Sequence, residues 1–210
     1  MPLFLIKNIK EDCLLGLWNI TETLEDFSKI VTLCDDEKQL LNTFKNDERK
    51  IEWLSVRALL KKMSGKSLKI WYTPQKKPYI ENSDYNISIS HSNKISGILI
   101  SKRHRVGLDL EYMSHKIENI AKKFIGNNEF ITSDPAKKHL HLYIHWCAKE
   151  ALYKICDKQD IIFKTNIFIY PFEPKTEGTI KGRVLTKYIN EEFELAYFCH
   201  DNYIIVYTIK

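Results

Sequence analysis

The sequence predicts an α+β protein made of two similar lobes, and three observations predict it. Helix-like stretches give way to runs that alternate with period two, and this order occurs twice along the chain. The length, 210 residues, is enough for one sizeable domain or two small lobes. A hydrophobic content of 44%, with only 7 Gly and 6 Pro, is that of a folded chain rather than a disordered one. The charged patch Lys102-Arg103-His104-Arg105 separates the halves, so the lobes are expected at 1–104 and 105–210.

In the first lobe, Met1–Lys7 reads as an opening strand and Thr21-Glu22-Thr23-Leu24 as a helix start. A helical zone runs from Asp35 to Met63 and breaks near Asn46, which can cap the second piece, and Gly65 fits as its stop. In that piece Ile51, Leu54 and Ala58 form an inward stripe. Arg49, Trp53, Arg57 and Lys61 recur every four residues on another face. Lys69–Thr73 then reads as a strand, Gln75–Pro78 as a turn and Asn86–Ser90 as an alternating strand. Ser92-Asn93-Lys94 turns the chain into Ile95–Ser101 to make a hairpin. The second lobe opens with a strand, Val106–Glu111, and a short helix, Ile117–Ile125, that stops at Gly126. Ser133-Asp134-Pro135 offers a cap and an N1 proline to a long helix reaching about Asp157. Four strand-like runs follow: Lys164–Tyr170, Gly178–Lys187, Glu192–His200 and Tyr203–Ile209.

The bulk properties narrow the function classes. A net charge of +5, from 32 basic and 27 acidic residues, favours anionic partners but is too mild for a protein that coats nucleic acid. The 5 cysteines are odd in number, widely spaced and without a C-x-x-C pair, which argues for reduced thiols in a cytoplasm. No run approaches a membrane span, and the first residues are too short in apolar character for a signal peptide.

Two stretches carry the chemistry. On a strand, Asp109 and Glu111 project from one face, with Val106, Leu108 and Leu110 on the other and Gly107 permitting close backbone approach. Adjacent carboxylates repel unless a cation lies between them, so the pair reads either as a solvated acidic face or as an oxygen site for Mg2+. On a helix, Trp146, Glu150 and Lys154 fall at i, i+4 and i+8, with Lys149 beside them. Alone, that run fits a surface ion pair next to a core tryptophan. Packed beside the strand, Glu150 would add a third carboxylate, and Lys149 and Lys154 would face phosphate oxygens. Arg49 and Arg57 form either a solvated basic face or a phosphate-binding ridge. Ser90 and His91, beyond Lys77, add a hydroxyl and an imidazole at a strand end. No nucleophile elbow accompanies them, so a hydrolase reading is weak.

Other readings compete. His141 and His145, one turn apart, could share a zinc, but His139 faces elsewhere and a polar helix face explains them as well. A non-enzymatic nucleic-acid-binding module could use the basic ridge, although paired carboxylates would repel a phosphate backbone. A different Mg2+-dependent phosphate-ester enzyme would use the same carboxylate logic.

Taken in order, Lys77-Pro78 with Ser90-His91-Ser92, Gly107-Leu108-Asp109-Leu110-Glu111, Trp146 through Lys154, and Arg49 through Arg57 resemble the motifs of the surfactin-synthetase-type 4′-phosphopantetheinyl transferases. Lys76 stands where that family often has glycine before its Lys-Pro. The resemblance implies two α+β lobes related by a pseudo-twofold axis, acting as a monomer. It also implies transfer of the 4′-phosphopantetheine arm of coenzyme A to a serine of an acyl or peptidyl carrier protein, releasing 3′,5′-ADP. Mg2+ would be held by Asp109, Glu111 and Glu150, the pyrophosphate by Lys154 and Lys149, and the 3′-phosphate by Lys77, Ser90 and His91 with Arg49 or Arg57. Glu150 is the candidate base. No nucleic-acid or membrane partner is expected.

Overall fold

A computed structural model describes residues 3–114, 116–157 and 160–210, so Met1 and Pro2 of the expected opening strand lie outside the described residues. The chain divides into two compact units, Met1–Arg103 and His104–Lys210. Both are α+β, as the sequence predicts.

The first unit opens with a hairpin of β1 (Leu3–Lys10) and β2 (Cys13–Asn19), turned through Asp12 at φ 64°. β2 is absent from the sequence reading. Its residues Cys13, Leu15, Leu17 and Trp18 are all buried, so both faces are apolar and no alternation marks it. Helix α1 (Leu24–Ile30) starts in a reciprocal cap between Thr23 and Asp26. Helices α2 (Asp35–Thr43) and α3 (Asp47–Ser64) are separated at Asn46, whose side chain accepts from Glu48 N at 2.7 Å. Gly65 ends α3 in the left-handed region, φ 68°. Strands β3 (Ile70–Tyr72) and β4 (Pro78–Ile80) form a two-stranded antiparallel sheet. Strands β5 (Asn86–Ser92) and β6 (Ile95–Ser101) complete an antiparallel sheet of order β1-β2-β6-β5. The core of this unit is built on Trp18, Phe27, Leu59 and Ile98, with α3 packed over β2 and β6.

The second unit has one five-stranded antiparallel sheet, ordered β7 (Val106–Tyr112), β11 (Tyr203–Ile209), β10 (Asn190–His200), β9 (Glu177–Leu185) and β8 (Ile167–Ile169). Helix α4 (Ile117–Phe124) precedes the long helix α5 (Pro135–Ile155), whose apolar residues Ile144, Ala148, Ala151 and Leu152 pack on the sheet. The expected cap is present: Asp134 accepts from Ala136 N, and Pro135 is the first helical residue. The run Lys164–Tyr170, expected as one strand, divides into a short helix α6 (Phe163–Asn166) and β8. The Asn166 side chain closes the helical turn by accepting from Ile162 N at 2.8 Å. Among the described residues no helix is long and apolar enough to cross a membrane.

Candidate active site

The site in the second unit begins with a missing side chain. A Cβ on Gly107 would collide with the Ala151 carbonyl oxygen and come 3.1 Å from Ile155 Cβ, so only glycine lets β7 lie this close under α5. Asp109 and Glu111 follow on the same strand face and are thereby brought to the helix. Lys154 Nζ donates to Asp109 Oδ1 at 2.8 Å and to the Leu108 carbonyl at 2.9 Å. Trp146 Nε1 donates to Glu111 Oε1 at 3.2 Å. Glu150, half-buried, stands between Trp146 and Lys154 on the helix face that reaches these two carboxylates. The two sequence stretches therefore meet.

Behind the carboxylates lies Cys147, which the sequence reading passed over. Burial, then the charges of Asp109 and Glu111 and a hydrogen bond to Asp109, hold its thiol well above the ordinary cysteine value. It is a neutral donor beneath the site. Its position one residue from Trp146 and seven from Lys154 was the available signal.

Two predicted residues are corrected by the structure. Lys149 does not face phosphate. Its ammonium group is wholly buried and donates to Glu129 Oε2 at 2.6 Å and to the carbonyls of Phe124, Ile167 and Phe163 at 2.7, 2.8 and 3.0 Å. Burial lowers its pKa, and Glu129 opposes that shift. Arg57 is likewise no part of a surface ridge. It pairs with buried Glu37 at 2.9 Å, donates to the Trp53 and Ile70 carbonyls, and stacks 3.0 Å from the Trp53 ring centroid. Trp53 is itself buried, and Lys61 is tied to the Ile30 carbonyl, so the basic ridge read for phosphate or nucleic acid is largely interior.

The remaining first-unit residues have separate placements. Arg49 Nη1 lies 2.7 Å from His91 Nε2 and 3.0 Å from Glu52, which joins α3 to β5 through a partly exposed cluster. Ser90 is buried and, as the strand neighbour of His91, projects to the opposite face of β5. Lys77 leads into β4 from a turn in which its backbone N–H donates to Thr73 Oγ1. Lys76 adopts φ 62°, a left-handed conformation that glycine takes without penalty.

The histidines of α5 are core rather than a polar face. His141 and His145 are fully buried, with ring centroids 5.0 Å apart, and both rings contact Phe172. His141 Nδ1 accepts from Thr132 N, while His139 turns to the Ser114 carbonyl. No zinc set forms from them among the described residues.

No group of three His, Cys, Asp or Glu side chains that could hold a metal ion stands together among the described residues; Asp109 and Glu111 accept from Lys154 and Trp146. Mg2+ does not need such a group. It takes one or two carboxylates, with water and substrate phosphate completing six oxygens. An all-oxygen donor set on one strand face opposite a helix carboxylate fits that requirement.

Residues 105–208 match the family model of the 4′-phosphopantetheinyl transferase superfamily. The match falls within the second unit. The match covers β7 through nearly all of β11, including Asp109, Glu111 and the whole of α5. It points to phosphopantetheine transfer. No curated protein matches the chain.

Proposed function

We propose that the protein transfers the 4′-phosphopantetheine arm of coenzyme A to a serine of an apo carrier protein in a Mg2+-dependent reaction that releases 3′,5′-ADP. The observation that carries this reading is the docking of α5 on β7, with Lys154 on Asp109 and Trp146 on Glu111. It brings together the two stretches, on β7 and α5, that carry the resemblance to the transferase family.

Asp109 and Glu111, with Glu150 from α5, are the groups that would hold Mg2+. When bound, the ion neutralises charge on the pyrophosphate. The serine hydroxyl attacks the β-phosphorus, the bond to the bridging oxygen breaks, and 3′,5′-ADP leaves. Glu150 accepts the serine proton, directly or through water. Lys154 supplies a fixed positive charge beside the leaving phosphate, and its contact with Asp109 sets where that charge lies. In the first unit, Arg49, Lys77 and His91 are assigned to the adenosine 3′-phosphate, where charge-assisted hydrogen bonds are strongest, while Ser90 lies on the other face of β5 and is not among them. The acidic surface usual in carrier proteins suits a mildly basic enzyme through electrostatic steering.

Incubation with coenzyme A, Mg2+ and an apo carrier protein should add one phosphopantetheine mass to the carrier serine. Asp109→Ala and Glu150→Ala should abolish the addition while the circular dichroism spectrum stays native. A wild-type protein that labels no member of a broad carrier panel sinks the proposal. Full activity in Asp109→Ala would remove the metal assignment.

A further inference from the structure

The four oxygens around Lys149 do more than neutralise a buried charge. Two of them are the carbonyls of Phe124 and Phe163, at 2.7 and 3.0 Å, and the rings of those two residues flank Trp146. Phe124 meets the indole edge-to-face at 5.1 Å between centroids, and Phe163 lies at 5.6 Å. Glu129, the carboxylate partner, also accepts from Gly126 N at 2.6 Å and from Ile169 N at 2.8 Å. The ion pair thus fastens the end of α4, the turn after it, the start of α6 and β8 to one point on α5. Trp146, on the next turn back, then reaches Glu111.

We infer that Lys149 and Glu129 are positioning residues for the Glu111 carboxylate, acting through Phe124, Phe163 and Trp146. Lys149 and Glu129 fix the two phenyl rings, the rings fix the plane of the indole, and the indole N–H fixes one oxygen of a side chain that otherwise turns about three torsions. A carboxylate held in this way meets a metal already oriented, which is how partners behind a ligand raise its affinity. An apolar side chain at 149 would fill the same volume but leave three carbonyls and a carboxylate unanswered. This inference rests on the Mg2+ reading of Asp109 and Glu111.

The test is Mn2+ binding in the presence of coenzyme A, followed by loss of the free-ion paramagnetic resonance signal. Trp146→Phe keeps an aromatic ring between Phe124 and Phe163 but deletes the N–H. It should unfold near the wild-type temperature and bind Mn2+ roughly 10-fold more weakly. Glu129→Gln and Lys149→Met, measured where circular dichroism shows them folded, should weaken Mn2+ binding similarly. Each combined with Trp146→Phe should lose no more than the weaker single variant, because all act through one hydrogen bond. Wild-type binding that Asp109→Ala abolishes, with Trp146→Phe unchanged, overturns the inference and leaves the metal site standing. Losses that add in the double variants overturn the route through Trp146. Wild-type binding that Asp109→Ala leaves intact overturns the metal site itself, and this inference with it.

Discussion

Arg57 and Lys149 play corresponding parts in the two units. Each lies within the long helix that covers its sheet, and each is paired with a buried carboxylate, Glu37 or Glu129. Their surroundings differ. The planar guanidinium of Arg57 stacks on Trp53 and beside a pocket of about 360 Å3 that is lined by Glu37, Arg57 and Lys61. The compact ammonium of Lys149 sits among three carbonyls and a carboxylate in a shell closed to solvent. A pair that borders a pocket can be rescued by water when one partner is lost, whereas a sealed one cannot. The buried basic residue in the unit that carries the carboxylate site is therefore also the less replaceable one.

That contrast can be broken by measurement. Lys149→Ala should lose about 3–5 kcal/mol, because Glu129 is left charged in the interior. Arg57→Ala should lose less, about 2–3 kcal/mol, since water entering through the pocket can solvate Glu37. Equal losses in urea unfolding of the two variants would erase the distinction. Arg49, at the exposed end of the same helix as Arg57, should behave differently from both. Arg49→Ala is expected to shift stability by no more than about 0.5 kcal/mol. It should weaken coenzyme A binding by calorimetry roughly 10-fold, as loss of one charge-assisted contact does.

The buried histidines sharpen the comparison on a pH axis. Burial, followed by the charges of His141 and Lys149, holds His145 well below the ordinary imidazole value of 6.5 in the folded unit. The unfolded chain therefore binds the proton first as pH falls. The stability tied to neutral His145 is fully present above 6.5 and is lost as pH drops from there toward the folded value. His145→Leu should flatten this decline in thermal melts between neutral and acidic pH, and an unchanged slope would assign it to other groups. A small effect of the opposite sign is expected at Lys76, where φ 62° disfavours a side chain. Lys76→Gly should raise stability by roughly 0.5–1 kcal/mol, read as a small upward shift in the unfolding midpoint.

What was legible in the sequence was local. Asn46, Gly65 and the Asp134-Pro135 pair act within a few residues of themselves, and each marks the helix end it was read to mark. Gly107, Asp109 and Glu111 were legible because a strand period of two fixes their common face. Lys149 and Arg57 were misread because helical spacing says which residues share a face but not which face is the core. A stripe was available: Leu142, His145, Lys149 and Leu152 recur at i, i+3, i+7 and i+10, and all four are buried. Lysine inside such a stripe implies a carboxylate waiting in the interior, but Glu129 lies 20 residues away. The local pattern carries no trace of that pairing. β2 escaped for the opposite reason, being apolar on both faces.

The thiol of Cys147 gives the second unit a built-in clock. It is fully buried under Asp109 and kept protonated there, so an alkylating reagent cannot react with it in the closed unit. Modification must wait for α5 to lift from β7. The rate of that reaction, taken against the rate for the denatured chain, counts how often the helix and the strand part company.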